Sequence, residues 1–311
     1  MTILVAAAFD DEEWRAWWPR LEAALPGERL VRHRSECDVV DIDIALVANP
    51  PTGALQGLPA LKLIQSLWAG VDKLLADASV PAQVPLARMV DPAMNATMAE
   101  TALWAVLSLQ RGFFEYAAQQ RASEWKQHAL QRAEDTSVAV LGLGQMGRCA
   151  AQTLMRSGYR VTGWSTRETA VEGVLTRAGA AALPQVLADA EIVVNLLPLT
   201  PATRGLFDAN TLAKMPRGAS LVNLARGAHV VEADLLAALA SGHIARAVLD
   251  VFHTEPLPRE HAFWSHPRVT VLPHVAAPTD PRSAALIAAA NVRALRGGQA
   301  LAHLVDRARG Y

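Results

Sequence analysis

Cysteine, net charge and long uninterrupted apolar runs are all scarce in this sequence, and each shortage closes off a class of protein. Two cysteines, Cys37 and Cys149, cannot build a disulfide framework, and their spacing suits no metal motif. They read as buried or incidental thiols. The formal net charge of −1 lacks the basic footprint of a nucleic-acid binder, so any bound anion must be met by local donors. No apolar run reaches membrane-spanning length without a charge or a proline. The N-terminus has no basic segment and no cleavage site before it turns acidic at Asp10 to Glu13, so it does not read as a signal peptide. These shortages point to a cytoplasmic protein with no nucleic-acid, membrane or metal partner.

What the chain does have is length and apolar content. Its 311 residues suggest two domains, and 51% hydrophobic residues suffice for two cores. Apolar runs at 3–7, 44–48, 61–67 and 86–89 read as strands. Residues 11–25 read as a helix with Trp14, Trp17, Trp18 and Leu21 on one face. Further strands are expected at 138–141, 160–164, 192–196, 220–224, 247–251 and 269–272, with helical patterns between most of them and a last amphipathic helix at 280–296. Strands alternating with helices imply parallel sheets, an α/β fold. The apolar stretch 95–111 reads as a long helix that 113–125 either extends or follows as a second helix, joining the domains and suiting either a subunit contact or packing within the chain. The Pro- and Gly-rich residues 49–59 read as a loop at the edge of an active site.

The expected strand 138–141 runs into Gly142-Leu143-Gly144-Gln145-Met146-Gly147, with a helix expected over 148–157. Gly142 would make the tight turn, Gly144 would let a pyrophosphate approach the backbone, and Gly147 would let helix and strand pack closely. The phosphates would then sit on a helix N-terminus, where N–H groups and the helix dipole favour an anion. In NAD-binding units an acidic residue ends the second strand and binds the ribose 2′-hydroxyl. Here that strand leads to Ser165, Thr166 and Arg167. A hydroxyl with an arginine behind it suits a 2′-phosphate, so NADP(H) is expected over NAD(H), with NAD(H) kept as the alternative cofactor.

Three later strands each lead into a polar residue: Arg226, Glu255 and His274. In an open α/β sheet, ligands bind outside the carboxyl ends of the strands. Reducing a 2-oxo acid needs a guanidinium to hold carboxylate and carbonyl, a proton donor for the carbonyl oxygen, and a carboxylate that orients the donor. Arg226, His274 and Glu255 fit those roles in that order.

Taken together these segments resemble the D-isomer-specific 2-hydroxyacid dehydrogenase family over essentially the whole chain. The resemblance rests on the loop 142–147, the run Asn195-Leu196-Leu197-Pro198-Leu199-Thr200-Pro201-Ala202-Thr203-Arg204-Gly205, and the segments 223–227, 249–256 and 273–277. Trp164-Ser165, His229-Val230-Val231-Glu232 and the ending 305–311 look most like the glyoxylate/hydroxypyruvate reductase A branch. The resemblance implies two Rossmann-like parallel-sheet domains, one flavodoxin-like and one dinucleotide-binding, with an active-site cleft between them. Residues 1–97 with 281–311 would form the substrate domain, and 98–280 the NAD(P)-binding domain. It implies Arg226, Glu255 and His274 as the catalytic set. Backbone N–H groups of Ala69 and Gly70, beside Trp68, would cradle the substrate carboxylate, with Arg226 and His274 completing the substrate site. The cofactor would be lined by Leu197, Pro198, Thr203, Leu224, Ala225, Asp250 and Ala276 as well as by the glycine loop and residues 165–167. Trp68 is bulky and Ala48, on a nearby loop, is small, an exchange expected to shape the substrate range. The expected partners are a small 2-oxo or 2-hydroxy acid and a second copy in a homodimer. Reduction of larger 2-oxo acids, or a non-enzymatic NAD(P)H-sensing role, are the alternatives.

Overall fold

The protein is described from a computed structural model, in which residues 1–310 are described; Tyr311, the last residue of the C-terminal branch-like ending, lies outside them. In chain order the elements are β1 (Thr2–Ala7), α1 (Asp11–Ala24), β2 (Arg29–Val31), β3 (Ile42–Ala48), β4 (Leu63–Ser66), α2 (Asp72–Ala76), β5 (Leu86–Ala87), α3 (Pro92–Gln110) and α4 (Phe113–Ala122). They continue with β6 (Ser137–Leu141), α5 (Gln145–Arg156), β7 (Arg160–Ser165), β8 (Leu175–Ala178), α6 (Leu183–Ala188), β9 (Ile192–Asn195), α7 (Ala209–Leu212), β10 (Ala219–Asn223), α8 (Glu232–Ala240), β11 (Ile244–Leu249), β12 (Val269–Val271) and α9 (Pro281–Arg296). The chain divides into two compact units, Met1–Ala93 with Thr279–Tyr311, and Met94–Pro278. The first boundary falls inside the opening turn of α3.

The first unit is built on a five-stranded parallel sheet of order β2-β1-β3-β4-β5. Every residue of β3 is buried, as expected of a parallel strand covered on both faces. Asp10 and Glu13 form a capping box that starts α1, and Asp280 caps α9. The buried stripe of α9 is Ala284, Ala285, Ala288, Ala289 and Val292, small side chains that allow close packing. At its far end Arg296 grips Glu28 with two 2.8 Å bonds and also binds both carboxylate oxygens of the buried Asp43.

The second unit is a seven-stranded parallel sheet of order β12-β11-β10-β9-β6-β7-β8. The chain runs outward from β6 to β8 and then returns to β9 on the other side of β6, so strand order reverses between β6 and β9. Such a switch point opens a crevice at the carboxyl ends of the two strands.

Several sequence-based expectations need correction. The short strands β2 and β8 lie outside the expected set, being edge strands with partly exposed residues and little periodicity. The strand expected at 61–67 is shorter, because the Leu61 N–H closes a turn onto the Leu58 carbonyl. The strand expected at 86–89 stops at Ala87, because the Arg88 and Met89 N–H groups go to the carbonyls of His303 and Trp68. The helix expected to reach residue 125 ends at Ala122, where Ser123 takes a left-handed φ of 58°. On α1, Trp17 and Leu21 are buried while Trp14 and Trp18 are only partly so. Those two rings instead hold the Arg32 guanidinium, 4.5 Å from each ring centre. No helix among the described residues is long and apolar enough to cross a membrane.

Candidate active site

The glycine loop opens the switch-point crevice. Gly142 ends β6 with φ +97°, and a Cβ there would sit 2.6 Å from the Leu196 carbonyl oxygen, on the loop after β9. A Cβ on Gly147 would lie 1.7 Å from the Gly142 oxygen, so only glycine lets α5 fold back against the turn. A Cβ on Gly144 would meet nothing within 4 Å. Its bareness relieves no contact inside the chain and leaves room for something outside it. The helix begins at Gln145, earlier than expected, so Gln145, Met146 and Gly147 all belong to its first turn, and its N-cap, Gly144, brings no side chain to cap it. An uncapped first turn beside open space fits the pyrophosphate of a dinucleotide.

At the end of β7 the Ser165 hydroxyl donates to the Arg167 carbonyl at 2.5 Å, and the Thr169 hydroxyl donates to the same oxygen at 3.2 Å. The two bonds shape a turn on which Thr166 and Arg167 are exposed. The nearest carboxylate along the chain, Glu168, follows Arg167 and is not at the strand end. With the exposed Arg167 on the turn and no carboxylate at the strand end, this turn fits a 2′-phosphate better than a bare 2′-hydroxyl.

Across the switch point, β9, β10 and β11 end in the segments expected to line the cofactor. Leu197, Thr203, Leu224, Ala225 and Ala276 are buried. The Thr203 hydroxyl donates to the Pro198 carbonyl at 2.7 Å.

Glu255 and His274 come together although nineteen residues separate them. Glu255 takes the Phe252 N–H at 2.9 Å on one carboxylate oxygen and the His274 Nδ1 at 2.8 Å on the other. A carboxylate accepts, so Nδ1 carries the hydrogen, and Nε2 is left to hold or release a proton. The His274 side chain is 52% exposed, so Nε2 is reachable. His274 has a left-handed φ of 55°, a costly conformation for a non-glycine residue. Asp250 holds it there: its carbonyl takes the His274 N–H at 2.9 Å, and its carboxylate takes the Val275 and Ala276 N–H groups at 2.7 and 3.0 Å. Burial pushes the Asp250 carboxyl above its ordinary range, against the opposing pull of those two N–H bonds. Arg226 follows β10 in extended backbone (φ −144°) and donates from Nη1 to the Ala225 carbonyl at 2.7 Å. A Cβ on the next residue, Gly227, would lie 1.9 Å from the Phe252 carbonyl carbon. The arginine turn is therefore seated directly on the backbone that also binds Glu255.

In the first unit, Trp68, Ala69 and Gly70 follow β4. The Ser66 hydroxyl takes the Trp68 N–H at 3.0 Å and donates to the Trp68 carbonyl at 2.9 Å, which fixes the turn. Ala69 and Gly70 are partly exposed. The Trp68 ring stands edge-on to Phe9 and Trp17, with centroids 6.0 and 5.7 Å away, and its buried indole nitrogen has no hydrogen-bond acceptor. Ala48 is buried at the end of β3.

A family model for the NAD binding domain of D-isomer specific 2-hydroxyacid dehydrogenases matches residues 103–276. The chain belongs to this family. The glyoxylate/hydroxypyruvate reductase A of Serratia proteamaculans is 42% identical over 308 residues, 97% of each chain. A D-isomer specific 2-hydroxyacid dehydrogenase from Xanthobacter autotrophicus, solved with NADPH and MES, is 42% identical with a TM-score of 0.95 over 100% of this chain and 99% of that one. The NADPH-dependent glyoxylate/hydroxypyruvate reductase of Sinorhizobium meliloti, solved with NADP and sulfate, is 36% identical with a TM-score of 0.93 over 100% and 99%.

One part of this dehydrogenase's site escaped the sequence reading. The fully buried Asn195 and Asn223, the last residues of β9 and β10, and the fully buried His229 form one network. Asn223 donates to the Arg226 carbonyl at 2.9 Å and accepts the Ala225 N–H at 3.3 Å. Its oxygen therefore faces the Asn195 amide nitrogen, which donates to it at 2.9 Å and to His229 Nδ1 at 3.0 Å. His229 must then carry its hydrogen on Nε2 and donate to the Pro198 carbonyl at 3.3 Å. The signal available in the sequence was an asparagine closing two strands that are mostly apolar.

Proposed function

We propose that this dehydrogenase reduces glyoxylate, hydroxypyruvate or a similarly small 2-oxo acid to the 2-hydroxy acid, with NADPH preferred over NADH. The observation that carries the reading is the 2.8 Å bond from His274 Nδ1 to Glu255, with Nε2 left reachable at the carboxyl ends of parallel strands. NADPH, when bound, supplies the hydride. Arg226 binds the carboxylate and carbonyl of the acid with its planar donors. His274 Nε2 gives a proton to the carbonyl oxygen, and Glu255 holds the ring so that Nε2 faces outward. Asp250 positions the His274 loop, Ala69 and Gly70 offer backbone donors to the carboxylate, and Ser165, Thr166 and Arg167 favour the 2′-phosphate. The names of the two glyoxylate/hydroxypyruvate reductases and the NADPH and NADP in the solved structures support this reading. Purified protein given glyoxylate should oxidise NADPH, followed at its absorbance band, and do so more slowly with NADH. Absence of turnover on glyoxylate and hydroxypyruvate with both cofactors rules the reading out.

A homodimer is part of the same proposal. Trp104, Leu107, Phe113, Trp125 and Leu130 are exposed along α3, α4 and the segment after them, with Trp125 96% exposed. A stable monomer rarely leaves so much aromatic surface in one stretch of chain. Two unpaired cysteines suit the reducing cytoplasm.

A further inference from the structure

Arg88 is a charged residue of the first unit whose chemistry the fold leaves unused. It follows β5 directly and is only partly exposed. Among the described residues, no carboxylate, carbonyl or aromatic ring engages its guanidinium. Burial alone pushes it below the ordinary arginine range, with no neighbouring charge acting on it. Other arginines of the same unit are satisfied: Arg296 by Glu28 and Asp43, and Arg307 by the carbonyls of Pro81 and Val84. A desolvated cation without a counter-charge is costly, and a fold retains one where a ligand completes it. None of its nitrogens is sealed from solvent, since the only fully enclosed side-chain polar atom without a partner among the described residues is the Trp68 indole nitrogen.

Its place on the sheet says which ligand. β4 and β5 pair in parallel with Gln65 opposite Ala87, so Arg88 comes next to Ser66, at the sheet edge where the turn to Trp68, Ala69 and Gly70 begins. The Met89 N–H is bonded to the Trp68 carbonyl at 3.1 Å, which ties the two segments together. Leu86, two residues before Arg88, shares one buried cluster with Ile64 and with Val71 and Leu74, which follow that turn. A guanidinium beside a backbone turn with exposed small residues is a donor set for a planar anion.

We propose that Arg88 is a substrate-binding residue that takes a carboxylate of the 2-oxo acid, adding a side-chain charge to the backbone cradle of Ala69 and Gly70. The proposal rests on the function stated above but is tested apart from it. Arg88→Met should raise KM for glyoxylate at least tenfold while leaving KM for NADPH and the melting temperature unchanged, and Arg88→Lys should fall between. A merely structural arginine would instead lower the melting temperature and leave KM alone. Running glyoxylate against a 2-oxo diacid distinguishes two sources of the carboxylate: a loss on both places Arg88 at the carboxylate next to the carbonyl, and a loss confined to the diacid places it at the distal one. Oxalate titrated against tryptophan fluorescence, which Trp68 reports from two residues beyond Ser66, gives a readout independent of turnover. Oxalate quenching present in the wild type and lost in Arg88→Met supports the site even if no 2-oxo acid is turned over. Unchanged KM values for both acids in folded Arg88→Met, or an oxalate response equal in the two proteins or absent from the wild type, overturns it.

Discussion

At the scale of single residues, the imidazole of His274 is held in place by two acids that do different things. Glu255 meets the ring and sets which nitrogen carries the hydrogen. Asp250 meets the backbone and stabilises a left-handed residue that would otherwise relax. His274→Ala should lower kcat by about a hundred- to ten-thousandfold while NADPH affinity, measured by calorimetry, stays unchanged. Loss of NADPH binding in that variant would make His274 a structural residue. The cofactor proposal is tested at one position of the 165–167 turn: Ser165→Asp puts a carboxylate where a 2′-phosphate is proposed to lie. The ratio of kcat/KM for NADPH over NADH should then fall at least tenfold, and an unmoved ratio removes Ser165 from the cofactor argument.

Elements decide what single residues cannot. The junction of α9 with the first sheet is held by one arginine shared between Glu28, which is partly exposed, and Asp43, which is buried. The hydrogen bonds from Arg296 hold the Glu28 carboxyl below its ordinary value of 4.5. A depressed carboxyl stabilises the fold above its unfolded pKa, and that contribution is lost as pH falls through the folded value. Glu28→Gln should therefore melt lower than the wild type at neutral pH, and the gap should close as pH falls through the lowered folded value of Glu28. Arg296→Leu leaves the Asp43 charge buried and unpaired and should cost about 3 kcal/mol in urea unfolding. The elements that the sequence showed well are those whose pattern is local: β6, its glycine turn and α5 follow one another without a break, marked by a short apolar run and by the close approach of Gly147 to Gly142 that only glycine allows. Those it showed poorly, β2 and β8, are edge strands that owe their shape to a neighbour already in place.

For the whole molecule, the exposed aromatic stretch of α3, α4 and the following segment bears on assembly. Light scattering should give about twice the chain mass of 33.3 kDa. Charges introduced at Trp104 and Trp125 together should shift that mass to the monomer, and a wild type that is monomeric at micromolar concentration ends the homodimer proposal. The same stretch reads in the sequence only as apolar helix, because periodicity tells that a face is greasy and not what covers it.

The sequence by itself determined the alternating α/β pattern, the glycine turn and the absent acid at the end of β7, and it singled out Arg226, Glu255 and His274 as candidates. Each of these is written in side-chain type and short-range spacing, where backbone stereochemistry and hydrogen-bonding capacity act directly. Only the tertiary structure decided that Glu255 touches His274 Nδ1, that Asn195, Asn223 and His229 lock two strand ends together, and that Arg88 finds no counter-charge. Those facts depend on groups brought together from distant parts of the chain, and contact at that range is set by how sheets and helices stack, which no local pattern encodes.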